Sequence, residues 1–265
     1  MKTRSPSDNR LLSLVLLTVL ATIAVFLLPP VPQSLSYHRF CDRRPFLGVP
    51  SFANVISNLP FLFIGLRGYL LLPKTARDSS LKIIGFFTFT GILLTAFGSA
   101  WYHLHPGNDT LLFDRLPMTI VFMSLLAAVI AVSIGRRVGL AVLGPLLLTG
   151  IASVCWWRHT ELLGRGDLRL YILVQYYPPL LITAILLLYP SQTNRQGLRP
   201  LILATVWYAT AKILDILDCP IYTAGTVVSG HTLKHIAAAI SAWYLVNLFK
   251  SYSTAIKNGC ASTVL

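Results

Sequence analysis

Charge is scarce in this chain, and acidic charge most of all. Nine Asp and Glu stand among 265 residues, and Asp, Glu, Lys and Arg together make up 12%. Soluble domains average about 25% charged residues, so a fold that faces water on all sides is excluded. Thiolate metal motifs are missing too, because Cys41, Cys155, Cys219 and Cys260 form no Cys-x-x-Cys pair. The metalloprotease motif His-Glu-x-x-His is absent: in His231-Thr232-Leu233-Lys234-His235 a Thr follows the first histidine, where the catalytic Glu would stand. The net charge is +13, yet the Lys and Arg are scattered through short loops without the interleaved aromatics of a nucleic-acid surface. Nucleic acid is therefore not an expected partner. No internal repeat, low-complexity tract or long linker divides the chain.

Apolar sequence fills the space that charge leaves: 55% of residues are hydrophobic and mean hydropathy is +0.68. Crossing the hydrocarbon takes about 20 mostly apolar residues. Eight runs of that kind are found, at residues 11–29, 52–73, 81–104, 111–134, 138–157, 169–190, 198–217 and 230–250. They predict an all-α integral membrane protein. Basic flanks around the apolar Leu11–Leu28 run imitate a secretory signal, but no small-x-small cleavage site precedes Pro29-Pro30, so the run is expected to remain as a span. The expected organisation is a tail and extra span over residues 1–30, a seven-helix core over 31–251 and a C-terminal tail over 252–265.

Antiparallel spans alternate, so the loops around 30–51, 104–110, 158–168 and 218–229 share one side, called here the site side. The opposite side, with both termini, holds 13 of the 22 basic residues against only Asp8 and Asp78 of the nine acidic ones, which leaves nine basic and seven acidic residues for the site side. The positive-inside rule then predicts cytoplasmic termini and a site half that faces the periplasm, a lumen or the cell exterior. Cys41 and Cys219 both fall on the site side and can pair if that side is oxidising.

Ionisable residues inside a span are expensive unless paired or functional, so each is a site candidate. Ser99 and His103 end the third run, Asp114 stands near the start of the fourth, and His231 and His235 open the eighth, all at one depth on the site side. His231 and His235 are spaced i, i+4, which puts them on one helix face about 5–6 Å apart at Cβ. Ser99 and His103 repeat that spacing on another helix. Three His with an open fourth position is a known catalytic zinc arrangement. Asp114 is the leading candidate for the general base, and its structural alternatives are an ion pair with Arg115 or a helix cap. Ser99 is placed to donate to a developing oxyanion. Lys212 and Asp215, spaced i, i+3, suggest a structural ion pair, whereas His38, Asp42, Arg43, Arg44, His105 and His159 suggest solvated or headgroup-contacting positions.

Four stretches together resemble the alkaline ceramidase family, within the superfamily that also includes adiponectin receptors and Per1-like proteins. Ser57-Asn58-Leu59-Pro60-Phe61 opens a span and Gly98-Ser99-Ala100-Trp101-Tyr102-His103 ends one. Asp114-Arg115-Leu116-Pro117-Met118 opens the next, and Gly230-His231-Thr232-Leu233-Lys234-His235 opens the last. The resemblance spans residues 37–250 and leaves the first run as an addition. It implies a seven-helix bundle, zinc held by His103, His231 and His235 with Ser99 and Asp114 assisting, and hydrolysis of the amide of a ceramide-like membrane lipid. In that family an acidic cluster before the first core helix binds calcium. Here the segment has Asp42 and Asn54 but no Glu, which puts calcium in doubt. A non-enzymatic receptor or scaffold with structural zinc is the alternative within the same superfamily. Haem fits poorly, because its axial ligands come from facing helices and the i, i+4 pair lies on one. No protein partner is indicated.

Overall fold

The computed structural model describes residues 6–75 and 79–257. Each apolar run is helical, and residues 52–73 fall in two helices. In chain order the helices are α1 (Pro6–Leu27), α2 (Phe52–Ile56), α3 (Leu59–Thr75), α4 (Ser79–Leu104), α5 (Asn108–Ser133), α6 (Arg136–Leu162), α7 (Arg169–Leu188), α8 (Gln192–Ile216), α9 (Asp218–Gly225) and α10 (Gly230–Lys257), with a 3-10 turn at Leu35–His38. Helices are the natural solution in hydrocarbon, since every backbone N–H and C=O is satisfied within the segment. The expected tail over 252–265 is helical as far as Lys257; residues 258–265, and residues 1–5 of the N-terminal tail, lie outside the described residues.

Among the described residues, six helical stretches are long and apolar enough to cross a membrane, or seven if α8 and α9, bent 71° apart, form one span. That is fewer than the eight runs read from sequence. The exception is α10, whose first turns carry His231, Lys234 and His235. Its polar groups turn into the protein, where both histidines are buried. The outside of the bundle remains apolar, with Leu70, Leu180 and Leu187 all at least 65% exposed, as a lipid-facing surface requires. Inside, Ile84, Phe89, Ala127, Val129, Leu248 and Tyr252 belong to one core. A smaller cluster at the site end contains Phe40, Tyr102, Leu111, Trp157 and Tyr171.

Two Asp-x-Arg clamps fasten the loops on the site side. Asp42 accepts from the backbone N–H and Nε of Arg44, and Arg44 reaches on to the Thr226 and Val227 carbonyls at 2.8 and 2.6 Å. Asp167 and Arg169 repeat the pattern, with Arg169 Nη1 donating to the carbonyls of Phe26 and Leu28 at 3.2 and 2.8 Å. The first clamp ties the segment before α2 to the α9–α10 turn; the second ties α1 to α7. Hydrogen bonds from their arginines hold both carboxyls below the usual carboxylate range. Each clamp therefore contributes stability above pH about 4 and loses it as pH falls through the lowered value.

The contacts of α1 are few: Leu14 is its buried apolar residue, and Thr18 meets the Tyr177 hydroxyl at 2.8 Å. Leu14 joins the edge of the main core, and beyond α1 the chain is tied down by backbone contacts, where Val31 accepts from Leu168 N–H and Gln33 N–H donates to Glu161. Removal of residues 1–28 is expected to leave the purified protein folded with unchanged metal content by elemental analysis. Loss of metal on truncation would show that α1 supports the core.

Candidate metal centre

The site is built where α4, α8 and α10 end together on one side. His103 lies in the last turn of α4, and His231 and His235 stack on the first turns of α10. All three are buried, at 1%, 4% and 4% exposure. His103 Nε2 is 3.1 Å from His235 Nε2 and 3.4 Å from His231 Nε2. One ligand atom from each lies within 4.8 Å of the others.

Hydrogen bonds on the far side of two rings fix which nitrogens face inward. Ser57 Oγ donates to the Asn54 carbonyl at 3.0 Å, so its lone pair is left to accept Nδ1–H of His235 at 2.7 Å. Asp215 Oδ1 stands 3.0 Å from His231 Nδ1, and a carboxylate can only accept. Lys234 Nζ is 3.4 Å from that nitrogen but has its shorter contact, 3.1 Å, with Asp215. Both rings thus carry their proton on Nδ1 and turn a lone pair on Nε2 toward His103. His103 Nδ1 is buried without a hydrogen-bond partner.

Converging lone pairs repel each other unless a cation lies between them. Two nitrogens about 2.0–2.1 Å from a tetrahedral zinc are about 3.3 Å apart, close to the 3.1 and 3.4 Å seen here. The donor set fits zinc.

Further contacts hold these rings in place. Asp218 Oδ1 accepts the backbone N–H of His231 at 2.8 Å, satisfying a donor at the start of α10, while its Oδ2 accepts Cys41 N–H at 3.0 Å. Cys41 and Cys219 are joined by a disulfide, as their shared side allowed. Phe40, next to Cys41, packs its ring 4.7 Å from His103 and 4.6 Å from His231. Gly230 makes the junction possible: a Cβ there would stand 2.3 Å from the Leu214 carbonyl oxygen. Gly98 does the same between α4 and α5, where a Cβ would lie 2.0 Å from the Phe113 oxygen. This close approach sets the start of the Asp114 motif against the turn that bears Ser99.

The sequence of this region matches a family model described as Ceramidase over residues 48–263. The chain belongs to the ceramidase family. No curated protein matches it. Within this ceramidase-family frame, the three histidines expected as ligands do converge. Ser99 is buried one turn before His103. Asp114 is half-buried on α5 and makes no ion pair or side-chain hydrogen bond among the described residues, so the structural alternative of an ion pair with Arg115 is not formed.

The carboxylate that touches a histidine is Asp215. The sequence suggested that it pairs with Lys212; instead it binds His231 and Lys234, and Lys212 stands over the rings of Tyr208 and Tyr176 at 5.7 and 5.8 Å. Ser57 was visible only as part of a motif, with no role attached. The available signal was depth, since Asp215 ends α8 on the same side as His231. His38, expected to be solvated, bonds Tyr102 and Asn108, both at 2.9 Å.

Outer partners of a metal-bound histidine typically change affinity by about 10- to 100-fold when removed. Asp215→Asn and Ser57→Ala are each expected to weaken zinc retention by about that factor in competition with a chelator. Unchanged retention in both variants would remove the role assigned to these contacts.

Proposed function

We propose that this ceramidase-family protein is a zinc-dependent intramembrane amidohydrolase. It cleaves the amide of ceramide-like N-acyl lipids with water, giving a fatty acid and a sphingoid base. The carrying observation is the buried convergence of the three Nε2 atoms. Zinc held by His103, His231 and His235 would supply Lewis-acid polarisation of the carbonyl and a more acidic water.

The chain's own groups divide the remaining work. Ser99, one turn from His103, donates its hydroxyl to the oxygen that gains charge as the carbonyl is attacked. Asp114 takes the proton from the attacking water and passes it to the departing amine. Asp215 and Ser57 hold two of the rings in their working tautomers. An apolar groove of about 600 Å³ runs between α2–α3 and α10, lined by Phe52, Ile56, Pro60, Phe63 and Ile236. It borders Ser57 and suits an acyl chain close to His235.

Calcium does not fit this reading, because it takes six to eight oxygen ligands and the side-chain oxygens of Asp42 and Asn54 already have partners. Arg44 occupies both oxygens of Asp42, and the Asn54 side chain bonds Thr232 and the Asp42 carbonyl. The charge bias of the loops favours cytoplasmic termini and a site open to the opposite compartment.

A non-enzymatic receptor or scaffold with structural zinc is the second reading, favoured by the Phe40 ring packed on two of the three ligands. Asp114→Asn separates the two. For the hydrolase, metal content and melting temperature should persist while kcat falls by about 10²- to 10⁴-fold. Chelation should abolish fatty-acid release from ceramide and zinc should restore it; turnover that ignores both treatments would refute the proposal.

A further inference from the structure

The hydrolase reading uses the histidines, Ser99, Asp114 and Asp215, and leaves the cations beside them without a task. Lys234 is paired with Asp215 at 3.1 Å. Lys212 has aromatic faces but no carboxylate partner among the described residues. Arg115 is 6% exposed and has no ion pair among the described residues. Asp114, Arg115, Asp215 and Lys234 all act electrostatically on Lys212, so the five ionisable groups share one neighbourhood. Three cations face two carboxylates there, before a divalent metal adds its own charge.

Nearby carboxylates are engaged elsewhere. Glu161 Oε1 accepts from Gln33 N–H and Trp157 Nε1 and reaches Arg115 only through Gln33, whose Oε1 takes Arg115 Nη2 at 2.5 Å. Asp218 holds His231 and Cys41, and Asp42 holds Arg44.

The guanidinium sits in an aromatic cage, 4.3 Å from the Trp157 ring, 4.7 Å from Tyr171 and 5.9 Å from Tyr37. Ring faces stabilise the charge, but they offer Nη1 no oxygen. Nη1 is buried without an acceptor. A buried donor left unmet costs about 1–3 kcal/mol, and more on a charged group, so an acceptor belongs at this position.

Resting on the amidohydrolase reading, we infer that Arg115 binds an anionic oxygen group, a phosphate or carboxylate, carried by the lipid substrate near its scissile amide. An anionic head would complete Nη1 and offset the excess positive charge. A neutral ceramide head does neither. Arg115 then selects among N-acyl lipids by charge.

The test uses the full-length zinc-loaded protein in detergent with ceramide and ceramide 1-phosphate of one acyl chain, and an N-acyl amino acid of the same chain. The anionic lipids should exceed ceramide in kcat/KM by about tenfold or more. Arg115→Gln should reduce that ratio by about ten- to a hundredfold, and Arg115→Lys, which keeps the charge, should recover part of it. Equal use of neutral and anionic lipids by the wild type overturns the inference, as does a ratio unchanged in Arg115→Gln. Should that variant not fold, the wild-type ratio alone decides.

Cleavage of none of the lipids defeats the amidohydrolase reading instead, and binding then decides the fate of Arg115. Thermal stabilisation by ceramide 1-phosphate that Arg115→Gln abolishes supports the anion site; stabilisation independent of Arg115 overturns it. An equal shift with inorganic phosphate alone overturns the assignment to a lipid head.

Discussion

The carboxylate of Asp218 joins three segments beside the candidate metal centre. One oxygen caps the start of α10 at His231, the other holds the backbone of Cys41, and the neighbouring Cys219 forms the disulfide to that same cysteine. The segment before α2 is thereby pinned across the end of the bundle, and Phe40 comes to lie on the ligand rings. The bend between α8 and α9 is held against α10 at the same point, where only glycine fits at residue 230. Asp215, in the last turn of α8 just before that bend, reaches His231.

The wider constraint is the hydrocarbon itself. A polar group there has no bulk water to turn to, so it must find a partner in the protein or in what the protein binds. Most of the buried polar groups obey this rule in ordinary ways: Thr88 bonds Ser124, Ser133 bonds Asn194, and Gln175 bonds Tyr208. Several of the groups that depart from it stand at the site end. They include the three facing imidazole nitrogens, the second nitrogen of His103, one nitrogen of Arg115 and the Asn58 side-chain oxygen, whereas the Tyr252 hydroxyl is unpartnered in the main core. Their grouping around the histidines is what marks that end, and not the apolar middle, as the candidate site.

Legibility followed the range of each interaction. The helices and the His231/His235 pair were readable because hydropathy and i, i+4 spacing are local, periodic properties. So was the likeness of Ser99 and His103 in depth to that pair. The short helix α9 was read as part of a loop, since its eight residues include Pro220 and show no apolar run long enough to stand out. The pairing of Lys212 with Asp215 was the natural expectation from i, i+3 spacing, and it failed because Lys234, from another helix, lies closer to the carboxylate.

The sequence by itself determined that this is a helical membrane protein and which histidines are the candidate metal ligands, because composition and spacing along one helix are properties of the chain. Only the tertiary structure decided which groups orient those nitrogens. Ser57 and His235 are 178 positions apart, and His103 and His231 are 128 apart. Such contacts depend on how helices cross and where a glycine lets two backbones meet. The caged Arg115 belongs to the same class, since its rings come from α6, α7 and the segment before α2. A local pattern can place a charge in the membrane, but its partners, or their absence, exist only after the bundle has closed.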